Sequence, residues 1–176
     1  TFISAFVPRD RRVVDVGSKD SPLIERIQGF DKRVALDLRR TYRSENVKGL
    51  KMDFMKYTPK RRHNLALCLQ VLEHVPDPKS FAHKLFDVAN NVIISVPYMW
   101  PEKSSRYHIH DLINEETLKS WTGREPSHSV IAQEVLSPAG KSRRLVAYYQ
   151  NPSRPFSINQ VRKRMAASGQ LSRSDH

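Results

Sequence analysis

Five short runs rich in Val, Ile and Leu recur along the first hundred residues: RVVDV at 12–16, RVALDL at 33–38, a weaker VKGLKM at 47–52, NLALCL at 64–69 and NVIISV at 91–96. Runs of this length, apolar on both alternating faces, suit strands covered on two sides. That happens in parallel sheets joined by crossovers. Between the first two, residues 21–30 place Leu23, Ile24 and Ile27 on one helical face and end near Gly29. Residues 77–91 space Phe81, Leu85, Phe86 and Val88 in the same way. The connections at 39–46 and 54–63 are too short for full helices, so abbreviated crossovers on the surface are expected there.

After residue 96 the pattern changes. A polar, His-rich stretch at 99–111 leads into a helical pattern at 112–123, with Leu112, Ile113, Leu118 and Trp121 as its apolar stripe and Gly123 as its end. Two further strand-like runs, 127–136 and 143–150, are separated by a turn segment holding Pro138 and Gly140, the signal of a hairpin. The expected fold is therefore α/β: a mainly parallel sheet with helices on both faces, ending in an antiparallel hairpin. A chain of 176 residues fits one core. Residues 1–150 are read as that domain, and 151–176 as a basic C-terminal extension, partly disordered, with one short helix around 158–167.

Composition removes several classes. No apolar run approaches the ~20 residues of a membrane span, and the N-terminus lacks the order of charge, apolar stretch and small residues of a signal peptide, so a cytoplasmic protein is expected. The single cysteine, Cys68, lies inside an apolar run and reads as core rather than nucleophile. The net charge is +12, of which +4 lies beyond residue 150. Residues 32–62 alone hold eleven Lys and Arg against Asp37, Glu45 and Asp53. Such an excess either attracts anions, nucleic acid and phosphorylated sugars among them, or forms a solubilising surface.

Acidic residues recur at the ends of successive strand runs. Asp15 and Gly17 close the first, where a glycine lets the backbone turn tightly against a ligand. Asp37 ends the second, twenty residues beyond Gly17, where an acceptor-only carboxylate suits the two hydroxyls of a ribose. Asp53 follows the third with Phe54 beside it, pairing an acceptor for an adenine amino group with an aromatic face. Singly, each acid would also serve as a helix cap or turn residue; the functional reading rests on their recurrence.

These segments resemble the class I S-adenosylmethionine-dependent methyltransferases over roughly residues 10–150. VVDVGSKDS at 13–21 resembles their first motif, VALDL at 34–38 the ribose-binding strand end and MDF at 52–54 the adenine contact. LALCLQVLEHVPDP at 65–78 resembles the fourth strand and loop of the small-molecule branch. The resemblance implies an enzyme using S-adenosyl-L-methionine, with a cofactor site of Asp15, Gly17, Ser18, Asp37, Asp53, Phe54 and Gln70, and with Leu69 and Val71 beneath the adenosine. The chain departs from the pattern at Ser18, Lys19, Asp20 and Ser21, where further glycines usually sit. The first run begins at residue 12, so a cofactor-covering helix ahead of it is expected to be absent or cut away.

The acceptor side is less determined. In Tyr107-His108-Ile109-His110-Asp111 an extended backbone puts both histidines on one side, with Asp111 near enough to orient one of them. His108 or His110 then serves as general base for a hydroxyl, or both simply tie the loop. Glu73 and His74, with His108 or His110, are metal-ligand types, but no tight ligand motif is present and no metal is expected; the resemblance implies a loop-orienting role for the Glu-His pair. Pro97, Tyr98, Met99 and Trp100 add aromatic and apolar surface. The leading reading is O-methylation of a small-molecule or carbohydrate-like acceptor. The alternatives are an RNA methyltransferase that uses the basic surface, and a catalytically silent binding module. Base-flipping DNA enzymes are disfavoured: Gln70-Val71-Leu72-Glu73 stands where an Asn/Asp-Pro-Pro-aromatic segment would be, and Cys68 is within a strand. GSKDSP lacks the Gly-x-Gly-x-x-Gly of a nicotinamide dehydrogenase. The oligomeric state is not encoded in any of these features.

Overall fold

The computed structural model describes residues 12–103, 105–133 and 142–151. In chain order the elements are β1 (Arg12–Val16), α1 (Leu23–Arg26), β2 (Lys32–Asp37), β3 (Val47–Lys51), β4 (His63–Leu69), α2 (Pro78–Val88), β5 (Ala89–Pro97), α3 (Glu115–Thr122), β6 (His128–Gln133) and β7 (Arg143–Tyr149). All seven strands join one sheet in the order β3-β2-β1-β4-β5-β7-β6. β1 pairs in parallel with β2 and with β4, the latter in a register that sets Val14 against Ala66 and Val16 against Cys68. β2–β3 and β4–β5 are also parallel, whereas β7 runs antiparallel to both β5 and β6. The sheet and its closing hairpin are thus as the hydrophobic pattern predicts.

Period-two alternation divides the core between the two faces of the sheet. Val14, Val16, Ala66, Cys68, Val92 and Ile94 pack beneath Ala82, Leu85 and Val88 of α2 and Leu118 of α3. Val13, Ala35, Leu65 and Leu67 face the other way, against Ile24, Ile27 and Phe30. The layer on that second face is thin, because α1 has only four residues and runs into extended backbone at Ile27. Leu23 does not join it. It is 41% exposed, and Phe30, beyond the turn at Gly29, supplies the third buried side chain.

The longer helices begin where capping chemistry dictates. Asp77 accepts the Ser80 N–H at 2.9 Å and Pro78 takes the first helical position of α2, where a missing N–H costs nothing. Asn114 accepts the Thr117 N–H at 2.8 Å, and Gly123 ends α3 in the left-handed region. The helix therefore starts at Glu115 rather than at Leu112. Leu112 is exposed with φ +53°, outside the apolar stripe expected for it, while Ile113 and Leu118 are buried.

The two abbreviated crossovers contain no α-helix. Between β2 and β3 the chain is held by Tyr42 N–H to Lys19 O at 2.7 Å and Thr41 Oγ1–H to Ala35 O at 2.9 Å. Between β3 and β4 one 3-10 turn, Phe54–Lys56, suffices. Of the eleven basic residues at 32–62 all but Arg33 are exposed. Arg62 donates to Ala89 O at 2.7 Å and to Phe86 O, satisfying carbonyls left over at the end of α2. The hairpin turn, residues 1–11 and the expected basic extension from residue 152 onward lie outside the described residues. Among the described residues no helix is long and apolar enough to cross a membrane.

Asp77→Ala removes the α2 cap, an interaction of about 1 kcal/mol. Thermal unfolding followed by circular dichroism is expected to show a Tm lower by roughly 2–4 °C.

Candidate functional site

The candidate site lies at the carboxyl edge of β1 and β4. After β1 the chain turns towards α1 on one face of the sheet; after β4 it turns towards α2 on the other. Neighbouring strands whose connections diverge leave a gap at their carboxyl ends, which is where open α/β sheets bind ligands.

Gly17 makes the turn out of β1 with φ +77°, and its N–H donates to Leu36 O at 2.8 Å. A Cβ there would overlap the Cγ2 of Val71, so the two loops meet at a position only glycine fills. Lys19 follows at φ +47°, in the place of a further glycine. Its N–H donates to Asp37 Oδ2 at 3.1 Å and its carbonyl accepts from Tyr42. These bonds hold a left-handed conformation that an L-residue otherwise resists at about 1–2 kcal/mol. Gln70, at the end of β4, is also left-handed, at φ +59°. Its N–H donates to Ser95 O at 2.9 Å and its Nε2 to Ser95 Oγ at 3.1 Å. Met99, just beyond β5, has φ +51°. Strained residues at the ends of three adjacent strands mark this edge as the place where the backbone is held in unfavourable geometry.

The acids expected to bind a cofactor are brought to this edge with different degrees of freedom. Asp15 is 4% exposed, and burial together with the nearby Asp37 raises its pKa to about 7. Asp37 is already a structural acceptor: Oδ1 takes the N–H groups of Arg39 at 2.7 Å and Arg40 at 3.1 Å, and Oδ2 that of Lys19. A carboxylate has about four acceptor positions, so Oδ2 retains one. Asp53 caps the 3-10 turn through Met55 N–H at 2.9 Å. The Phe54 ring is buried in the core, 4.7 Å from Phe81 between centroids. Ser18 is buried, with its hydroxyl bonded to Lys19 O. Cys68 is fully buried, and burial with Glu73 and Asp15 nearby pushes its thiol well above the ordinary range, which keeps it protonated.

The His-rich segment packs across the loop after β4. Glu73 O accepts N–H groups from Ile109 at 2.8 Å and His110 at 3.2 Å, and the Leu112 N–H donates to Trp100 O. Tyr107 and Ile109 are exposed while His108 and His110 are part-buried, although the segment is a turn and bend and not the extended backbone expected. The two histidines then separate. His108 Nδ1–H donates to Asp111 Oδ1 at 3.3 Å, leaving Nε2 with its lone pair. His110 Nε2–H donates to Val75 O at 3.0 Å and its ring meets Trp121 edge to face, so it positions the loop. Asp111 is itself held by the Lys103 N–H.

Glu73 and His74 are brought to His108, a grouping the linear sequence suggests only through the unusual Glu-His pair after β4. One donor atom from each lies within 4.8 Å of the others. His74 Nδ1–H donates to Tyr107 O at 2.8 Å. Burial, with His108 and Lys19 nearby, lowers its pKa. Glu73 is 1% exposed, neither carboxylate oxygen has a hydrogen-bond partner, and burial raises its pKa to about 7 against the opposing pull of Arg144. Ser95, which anchors Gln70, carries no signal in the sequence.

No protein-family model and no curated protein matches this chain. Solved structures do. The chain is similar to the N-methyltransferase NodS of Bradyrhizobium japonicum WM9 in complex with S-adenosyl-L-homocysteine, at 12% identity, TM-score 0.60, over 81% of this chain and 78% of that one. It is similar also to the 1,6-didemethyltoxoflavin-N1-methyltransferase of Burkholderia thailandensis, solved with 1,6-didemethyltoxoflavin and S-adenosylhomocysteine: 17% identity, TM-score 0.60, 81% and 72% covered. A third is the N-terminal domain of EvdMO1, solved in the presence of S-adenosylhomocysteine and D-fucose: 16% identity, TM-score 0.58, 85% and 79% covered. The fold is that of the class I methyltransferases. At these identities the likeness is one of fold, and a fold hosts more than one chemistry.

Native Asp15 holds its proton up to about pH 7, whereas its unperturbed value is 3.8. Raising the pH through that interval strips protons from the unfolded state first, so stability falls. Asp15→Asn removes this slope. Thermal melts are expected to place the variant several degrees above the wild type at pH 8, with the difference closing towards pH 4.

Proposed function

We propose that this chain binds S-adenosyl-L-methionine between the loops after β1 and β4 and transfers its methyl group to a small-molecule acceptor. The observation that carries this reading is the meeting of Gly17 and Val71 at the β1–β4 gap, with buried Asp15, left-handed Gln70 and part-exposed Asp37 around it. The residues fit the cofactor: a turn with no Cβ admits a close approach, and Oδ2 of Asp37 keeps an acceptor position for a ribose hydroxyl. Asp53 lies one strand further on for the adenine edge. With its ring in the core, Phe54 offers main chain there rather than a stacking face. The cofactor supplies an electrophilic methyl carbon on a sulfonium, which leaves as a neutral thioether, so alignment of the acceptor supplies much of the rate.

On the acceptor side the reading is O-methylation. The chain's contribution is to hold a hydroxyl in line and remove its proton, and of His108 and His110 it is His108 whose other ring nitrogen is left to accept it. Asp111 fixes its tautomer and His110 positions the segment. A small or carbohydrate-like acceptor suits the aromatic surface of Tyr98 and Trp100. In support, two of the similar structures were solved together with a small heterocycle or a sugar. A second reading, RNA as acceptor, is favoured by the exposed Arg39, Arg40, Lys51 and Lys56 beside the same edge.

Calorimetric titration with S-adenosylhomocysteine is expected to give micromolar binding, with none for NAD, and Asp37→Ala is expected to weaken it by roughly tenfold or more. No adenosyl binding, or binding unchanged in a folded Asp37→Ala protein, removes the cofactor reading. The acceptor class is separated by salt. Turnover of a neutral small acceptor stays level between 50 and 200 mM salt, whereas RNA binding through several phosphates drops by about a hundredfold or more.

A further inference from the structure

Glu73 presents an unusual situation. An ionisable side chain 1% exposed with neither oxygen hydrogen-bonded is held at a cost of several kcal/mol when charged. The charge of Arg144 offsets part of that cost through space, without a hydrogen bond to either oxygen. Glu73 Oε1 is directed at His74 Nε2, 3.8 Å away. The His74 ring meets that of His108 edge to face at 5.0 Å.

The tautomers follow from the acceptors. A carbonyl and a carboxylate only accept, so both histidines carry their proton on Nδ1, towards Tyr107 O and Asp111 Oδ1. Both Nε2 atoms are left as bases. Metal-binding histidines characteristically donate the other ring N–H to a carbonyl or a carboxylate in this way, which fixes the ring and raises its basicity. His108 is also packed beside Trp100 and 6% exposed, so it has little freedom to turn away.

We propose that Glu73, His74 and His108 form a binding site for a divalent first-row transition ion, with Asp111 and the Tyr107 carbonyl as its outer supports. Two imidazoles and one carboxylate suit Zn²⁺, Co²⁺, Mn²⁺ or Fe²⁺ better than Mg²⁺ or Ca²⁺, which prefer all-oxygen shells. Donors about 2.1 Å from one ion stand roughly 3–3.5 Å apart, so closing from 3.8 Å asks for a shift of well under 1 Å between Glu73 and His74. Three protein donors leave positions open to water or to an acceptor oxygen, on the side where His74 is 37% exposed. The loop after β4 that carries Glu73 and His74 is the one whose Val71 meets Gly17, so the ion would stand beside the cofactor edge. The site rests on its own geometry. If it is filled, His108 serves as a ligand, and the general-base role proposed for it above does not apply.

The test uses the full chain, stripped with a chelator and titrated with Co²⁺ and with Zn²⁺ in the absence of any adenosyl compound. Failure here therefore leaves the cofactor reading untouched, and failure of cofactor binding leaves this one untouched. The expected result is saturable one-to-one binding, a visible Co²⁺ absorption band of nitrogen and oxygen coordination, and a rise in Tm with Zn²⁺. Glu73→Gln and His108→Ala are expected to weaken binding by roughly a hundredfold, and Asp111→Asn by about 10–100-fold. His83→Ala, on the exposed side of α2, leaves it unchanged. Circular dichroism in chelator checks that each variant is folded; Glu73→Gln retains the side-chain shape and removes the buried charge. Absence of saturable binding, or equal affinity in folded Glu73→Gln and His108→Ala proteins, overturns the proposal.

Discussion

The parallel pairing of β1 with β4 is the constraint on which the rest depends. The register that sets Asp15 against Leu67 and Val16 against Cys68 brings the ends of the two strands within one residue of each other, so Gly17 and Gln70 leave the sheet at neighbouring points. Because α1 and α2 lie on opposite faces, neither connection crosses the gap between them. A shift of β1 by one residue in this pairing would turn Asp15 to the face now held by Val14 and Val16. It would also set a Cβ-bearing residue against Val71. Core packing and site geometry are thus fixed by the same strand register.

Around that gap, hydrogen bonds do what helices do in a thicker domain. The β2–β3 connection has no helix to anchor it, and Asp37 gathers the N–H groups of Lys19, Arg39 and Arg40 into one carboxylate. The loop after β1 lacks the usual further glycines, yet it reaches the required left-handed turn through Lys19, anchored at its N–H by Asp37 and at its carbonyl by Tyr42. Asp37 is therefore asked to order two loops and to face a ligand.

The segment carrying the histidines is positioned by main chain as well as by the side chains of His110 and Asp111. The Glu73 carbonyl holds Ile109 and His110, while the carboxylate of the same residue is left buried and unbonded facing His74. One residue thus fixes the loop on its backbone side and contributes a ligand-type group on its side-chain side.

The strands, the two longer helices, the hairpin and the helix end at Gly123 were legible in the sequence, because hydrophobic period and turn chemistry are local properties. So was the clustering of Asp15, Gly17, Asp37, Asp53 and Gln70 at strand ends, since the carboxyl edge of a parallel sheet collects them whatever the details. Local pattern misplaced Leu23 and Leu112, whose exposure depends on where a short helix stops and a cap begins. It also offered the Phe54 ring to a ligand, where packing against Phe81 claims it for the core. Which histidine pairs with Asp111, and which of His108 and His110 joins Glu73 and His74, was decided by tertiary structure alone. Periodicity says which way a side chain faces; only the docking of one loop on another says what it meets there.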